Sequence, residues 1–130
     1  MIKFRYTILY VKNVTESITF YEQIFDFKRK FITPENDYGE LNTGETTIAF
    51  ASLELAKSNI KNGIIESDLT NKPFGIELGL ISDNVNETYL KAINYGAISE
   101  MEPKEKPWGQ IVSYIRDIDG FLIEICSPLD

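Results

Sequence analysis

Residues 121–126, Phe-Leu-Ile-Glu-Ile-Cys, set a single carboxylate, Glu124, in an apolar strand, and residues 76–80, Ile-Glu-Leu-Gly-Leu, do the same with Glu77. A charge among apolar neighbours is costly unless it is paired, coordinated or neutralised. Carboxylates so placed can act as general bases, anchor a cationic ligand, or ligate a hard divalent ion. Histidine-based chemistry is excluded, because the chain has no histidine. Zinc held by His and Cys is excluded as well, since Cys126 is the only cysteine. In its apolar strand Cys126 reads as a small core residue rather than a nucleophile. Glu77 and Glu124 are therefore the catalytic candidates, although no catalytic role follows from their types alone.

The 130 residues suit one domain, and a hydrophobic fraction of 43% supports a folded core rather than disorder. A net charge of −7 argues against nucleic-acid binding, because no basic stripe exists to neutralise phosphates. It mildly favours cationic over anionic ligands. The N-terminal stretch MIKFRYTILYVKN reads as a strand, neither a signal peptide nor a membrane span. The expected location is the cytoplasm, with no membrane partner.

These residues are positioned by a duplication. Residues 4–11 alternate like a strand, and a helix follows from about Asn13 to Phe25, opened by an Asn-x-x-Glu cap. A second strand covers about 74–81, and its helix opens at Asn84 with Glu87 in the same capping place. Asn13-Val14-Thr15-Glu16-Ser17 and Asn84-Val85-Asn86-Glu87-Thr88 are 71 positions apart, 84 − 13. Three strands follow each helix, so the chain reads as module one (1–52), a connector (53–73) with a short helix near 53–60, and module two (74–130). The expected fold class is α+β: two βαβββ modules forming a curved mixed sheet with a concave cavity and helices on the outer face. The run 100–107, EMEPKEKP, reads as a solvated loop, and Arg116-Asp117-Ile118-Asp119-Gly120 as a hairpin turn.

Strand alternation then assigns the faces. Leu9, Val11, Ile48, Phe50, Ile76, Leu78, Leu80, Phe121, Ile123 and Ile125 should face the helices. Tyr6, Ile8, Tyr10, Tyr38, Glu40, Ala49, Ala51, Glu77, Gly79, Leu122, Glu124 and Cys126 should face the concave side. By the repeat, Tyr6 corresponds to Glu77 and Ala49 to Glu124.

The duplication, the helix FYEQIFDF, the NYGA stretch and above all PWGQIVSYIRDIDGFLIEICSP resemble the vicinal oxygen chelate superfamily, which includes glyoxalase I, extradiol dioxygenases and the fosfomycin- and bleomycin-resistance proteins. The resemblance implies that Tyr6, Ala49, Glu77 and Glu124 occupy the positions that carry metal ligands in metal-dependent members. Here that site is degenerate. Ala49 has no donor, and a neutral phenol is a poor ligand because it must lose a proton of pKa about 10. Two carboxylates with water could hold Mg²⁺ or Mn²⁺ weakly, so the expectation is no cofactor.

Metal-free members resembling bleomycin-resistance proteins are homodimers that sequester a cationic drug. The resemblance implies a small-molecule-binding protein of this type, taking an amphipathic or cationic organic ligand. The ligand-binding candidates are Tyr6, Tyr10, Tyr38, Glu77, Trp108, Tyr114 and Glu124, the aromatic members being suited to stacking and to cation–π contact. Trp108, between Pro107 and Gly109, is expected on a loop at the cavity mouth. The alternative is a lyase, isomerase or dioxygenase of the same superfamily, using a weakly bound divalent metal or a carboxylate base.

Overall fold

A computed structural model describes residues 1–129 of the chain. It divides into two compact units, residues 1–66 and Ser67 onward, so the connector is split between them. Unit one contains β1 (Thr7–Val11), α1 (Val14–Phe25), β2 (Lys28–Ile32), β3 (Tyr38–Asn42), β4 (Thr47–Ser52) and α2 (Leu53–Asn59). Unit two contains β5 (Glu77–Ile81), α3 (Val85–Asn94), β6 (Ile98–Glu105), β7 (Ile111–Arg116) and β8 (Leu122–Cys126). Each unit carries a four-stranded mixed sheet, ordered β1-β4-β3-β2 in the first and β5-β8-β7-β6 in the second. In both, the first and last strands of the βαβββ run pair in parallel and the other pairs are antiparallel.

The two long helices start alike for the same physical reason. Asn13 Oδ1 accepts from the Glu16 amide at 3.0 Å, and Asn84 Oδ1 accepts from the Glu87 amide at 3.1 Å. Each satisfies a donor that the first helical turn leaves without a backbone partner. Helix α1 ends at Asp26, whose left-handed φ of 57° lets its amide bond to Glu22. Helix α3 ends just before Gly96, whose φ is 104°. The helix that the sequence suggests near 53–60 forms as α2, capped by Ser52.

The helical face of each sheet is the apolar one. In unit one, Val14, Ile18, Tyr21 and Ile24 of α1 are buried with Leu9, Val11, Leu41, Ile48 and Phe50 of the sheet, and the rings of Tyr21 and Phe50 lie 5.1 Å apart. In unit two, α3 contributes Val85, Tyr89 and Ala92, buried with Ile115, Ile123 and Ile125. This burial of apolar area is the main stabilising term in each unit.

The structure corrects three expectations. Residues 100–105 are not loop: β6 runs through them as far as Glu105. It is an edge strand, where Pro103 and outward charges are tolerated because one side of the ladder needs no partner. Ile76 does not pack against a helix. It precedes β5 and is 73% exposed, because pairing begins only at Glu77. Phe121 precedes β8 and is half-buried, packing instead against Phe74 with ring centroids 6.3 Å apart. No helix among the described residues is long and apolar enough to cross a membrane.

Candidate functional site

The chemistry-bearing residues lie on the face of each sheet turned away from its long helix. In unit two, Glu124 on β8 has Gly79 of β5 beside it on one side and Tyr114 of β7 on the other. The Tyr114 hydroxyl donates to Glu124 Oε2 at 3.1 Å. On the other side Gly79 leaves room for the carboxylate, since a Cβ there would lie 3.8 Å from Oε1. Glu77 lies two residues before Gly79, on the same side of its strand. Glu77, Glu124 and Tyr114 thus form one electrostatic group. Glu77 itself is exposed at the start of β5; desolvation by its surroundings, and then the Glu124 charge, raise its pKa. Burial, the hydrogen bond to Glu124 and its charge raise that of Tyr114.

Cys126, next along this face, has its thiol pushed up to about 11 by burial and then by Glu124. It is a buried, protonated thiol whose Sγ lies 3.6 Å from the Leu80 carbonyl oxygen. This is the environment of a packing residue rather than a nucleophile.

In unit one, Ile8, Ala49, Glu40 and Phe31 form one line across β1, β4, β3 and β2, and Tyr10, Ala51 and Tyr38 form the next. The Tyr38 hydroxyl donates to Glu40 Oε2 at 2.7 Å. Burial first, then Glu40, then the neighbouring Tyr6, hold the Tyr38 phenol far above its ordinary range, so it stays a donor. Ala49 and Ala51 are buried between these larger side chains, at 0% and 2% exposure.

The register makes the internal equivalences explicit. Ile8 faces Ala49 as Gly79 faces Glu124. Ala49 and Glu124 therefore match, and two residues back along the first strand of each unit, Tyr6 matches Glu77. The same alignment sets Glu40 of β3 against Tyr114 of β7. Each unit thus has one carboxylate in its middle row, on β3 in the first and on β8 in the second.

Of the sequence candidates, Tyr6 and Tyr38 are neighbours in unit one, with Tyr10 on the same face. Glu77, Tyr114 and Glu124 come together in unit two. Trp108 stands apart from that group. It lies 63% exposed at the β6–β7 turn, its indole donating to Gln110 Oε1 at 2.9 Å. Arg116 is committed away from this group: Nε donates to the Gly120 carbonyl at 3.0 Å and Nη2 to the Asp68 carbonyl at 2.9 Å. Neither Glu40 nor Glu124 has a cationic side chain in ion-pair contact among the described residues.

The four positions implied as metal ligands do not suit a tight metal centre. Ala49 offers a methyl group, Tyr6 a phenol, and one oxygen of Glu124 already accepts from Tyr114. Among the described residues no three His, Cys, Asp or Glu side chains are grouped to hold an ion. Stoichiometric metal needs more donors than two carboxylates. Dialysis against Zn²⁺ or Mn²⁺ followed by desalting is expected to leave well below one equivalent, measured by elemental analysis; a full equivalent would reverse this assignment.

Two four-stranded mixed sheets, each built from a βαβββ unit with its polar groups opposite the helix, define the glyoxalase/bleomycin-resistance class of fold. The sequence profile of the Glyoxalase-like domain matches residues 4–130, and the chain belongs to that family. No curated protein matches the sequence. Among solved structures, the chain is similar to a glyoxalase-related enzyme from Fulvimarina pelagi (TM-score 0.81, 15% identity, covering 98% of this chain and 89% of the other). It is also similar to a glyoxalase/bleomycin resistance protein/dioxygenase family enzyme from Burkholderia phytofirmans PsJN (TM-score 0.80, 19% identity, 95% and 97%). A third is a superfamily member from Sphaerobacter thermophilus DSM 20745 (TM-score 0.70, 18% identity, 98% and 98%). At these identities the structural likeness speaks for the fold.

Proposed function

We propose that the protein is a small-molecule-binding member of the glyoxalase/bleomycin-resistance superfamily that captures an amphipathic or cationic organic ligand at the carboxylates of unit two. The observation that carries this reading is Glu124, a half-buried carboxylate held by Tyr114, beside Glu77, with no cation in ion-pair contact among the described residues. A partly desolvated negative charge without a counterion favours a protonated amine, and the tyrosine rings add a surface for its apolar part. The Tyr114 hydroxyl, a donor to Oε2, fixes the orientation of the Glu124 carboxylate toward the ligand. The missing metal donors fit binding better than the metal-assisted chemistry of the superfamily.

Calorimetric titration with the planar cation ethidium and the planar anion eosin tests the reading. Ethidium is expected to bind and eosin not; equal affinity for both, or for neither, would count against it. The pH dependence follows from Glu77. Its pKa lies above the ordinary 4.5, so its charge is lost earlier than usual as the medium is acidified. Ethidium affinity should therefore fall as the pH is lowered from about 7 toward 4.5, and Glu77→Gln should flatten that slope. A pH-independent affinity in the parent protein would remove Glu77 from the site.

A further inference from the structure

Unit one has a carboxylate of its own that belongs to none of the four equivalent metal-type positions. Glu40 lies on the face away from α1, half-buried, between Phe31 on β2 and Ala49 on β4. One oxygen accepts from Tyr38, and among the described residues no basic side chain forms an ion pair with it. Of the β2 cations, Arg29 pairs with Glu22 of α1 at 2.9 Å and Lys30 donates to Thr47 at 2.8 Å, while Lys28, opposite Asn42, makes no ion pair with Glu40 among the described residues. Aromatic surface flanks the acid. Phe31, directly across from Glu40, is 43% exposed, and its ring centroid lies 5.9 Å from that of Tyr38. Ile8, at 38% exposure, supplies apolar surface two strands away in the same line.

We propose that Glu40, with Phe31 and Tyr38, forms a second binding site, in unit one, for a protonated amine carrying an apolar or aromatic group. Three features carry the inference. The carboxylate is half-buried, so an amine that reaches it competes with fewer waters than at an exposed acid. Two adjacent rings, the exposed Phe31 and the half-buried Tyr38, present aromatic surface that attracts an organic cation and stacks its flat part. Finally, Ala49 and Ala51, opposite Glu40 and Tyr38 on β4, carry only methyl groups, so no bulky β4 side chain stands beside them. Glu40 is the anchor, Phe31 and Tyr38 the aromatic wall, and the tyrosine hydroxyl fixes the orientation of the carboxylate.

The inference rests on the protein being an organic-cation binder but not on the unit-two carboxylates, and the test separates the two. Ethidium is titrated into the full chain, into Glu124→Gln, and into the double variant Glu124→Gln/Glu40→Gln. Glutamine keeps an acceptor for Tyr38, so melting temperatures should match. Glu124→Gln should retain a class of ethidium sites, which the added Glu40→Gln weakens about ten-fold or more. Phe31→Leu in the Glu124→Gln background, altering a half-exposed ring, should cost roughly three-fold. If the double variant and its Phe31 counterpart bind as Glu124→Gln does, the unit-one site is wrong and the unit-two reading survives. If the parent chain binds no ethidium, both fall.

Discussion

Glu124→Gln is expected to weaken the Glu124 class of organic-cation sites about thirty-fold, an effect of ~2 kcal/mol, while leaving the melting temperature unchanged or slightly raised. The two expectations belong together. Glutamine retains the shape of the side chain and an oxygen to accept from Tyr114, so the 3.1 Å hydrogen bond can persist. What disappears is a negative charge that is half-buried, has no cation in ion-pair contact among the described residues, and raises the pKa of Glu77. Removing it relieves repulsion in the protein alone and takes away the attraction for a ligand. Loss of function without loss of stability is the behaviour of a residue kept for binding. Calorimetry for affinity and thermal melting for stability decide the matter. A variant that melts well below the parent yet keeps every class of ethidium sites at parent affinity would show that Glu124 is a structural element and would sink the site assignment.

The sequence makes some of this arrangement readable, and physics explains which parts. The capping pairs at Asn13 and Asn84 are local, three residues apart, and both form as expected. Alternation is local too, so it places Glu77 and Glu124 opposite the helical face, and the repeat correctly matches Ala49 with Glu124. What stays hidden depends on register between distant segments. Alternation assigns Glu40 to the concave side, but its position facing Phe31 follows from an irregularity in the β2–β3 ladder between Arg29 and Phe31. A shift of one residue there would turn Phe31 to the other face. Strand β6 is obscured by its own composition, because Pro103 and its charges look like loop unless the segment is known to lie at an edge. The role of Arg116 is the most distant of all: the Asp68 carbonyl it binds lies 48 positions earlier.

That long-range contact gives the largest expected effect on stability, at Gly120. The run Arg116-Asp117-Ile118-Asp119-Gly120 forms a turn, as the sequence suggests, in which Asp117 Oδ1 accepts from the amides of Asp119 and Phe121, both at 2.9 Å. It is also the point where an early part of unit two is fastened to the β7–β8 hairpin. Gly120 has a φ of 93°, which L side chains rarely adopt, and a Cβ added there would lie 2.7 Å from both the carbon and the oxygen of the Asp68 carbonyl. That obstacle is backbone and cannot rotate aside. Alanine would therefore strain its own backbone by ~1–3 kcal/mol and also push residue 68 away. Displacing Asp68 breaks the 2.9 Å bond from Arg116, a guanidinium only 6% exposed, whose lost partner adds to the cost. Gly120→Ala is expected to destabilise the protein by about 3–5 kcal/mol, lowering the melting temperature by roughly 10 °C or more. Gly44→Ala isolates the cause. Gly44 has a similar φ of 106° but nothing within 4 Å of an added Cβ, so it should show the conformational strain alone, about 1 kcal/mol. Urea unfolding of both variants measures the difference directly. Equal losses at the two positions would mean that the close approach to Asp68 contributes nothing, and that the hairpin holds its shape without the segment docked against it.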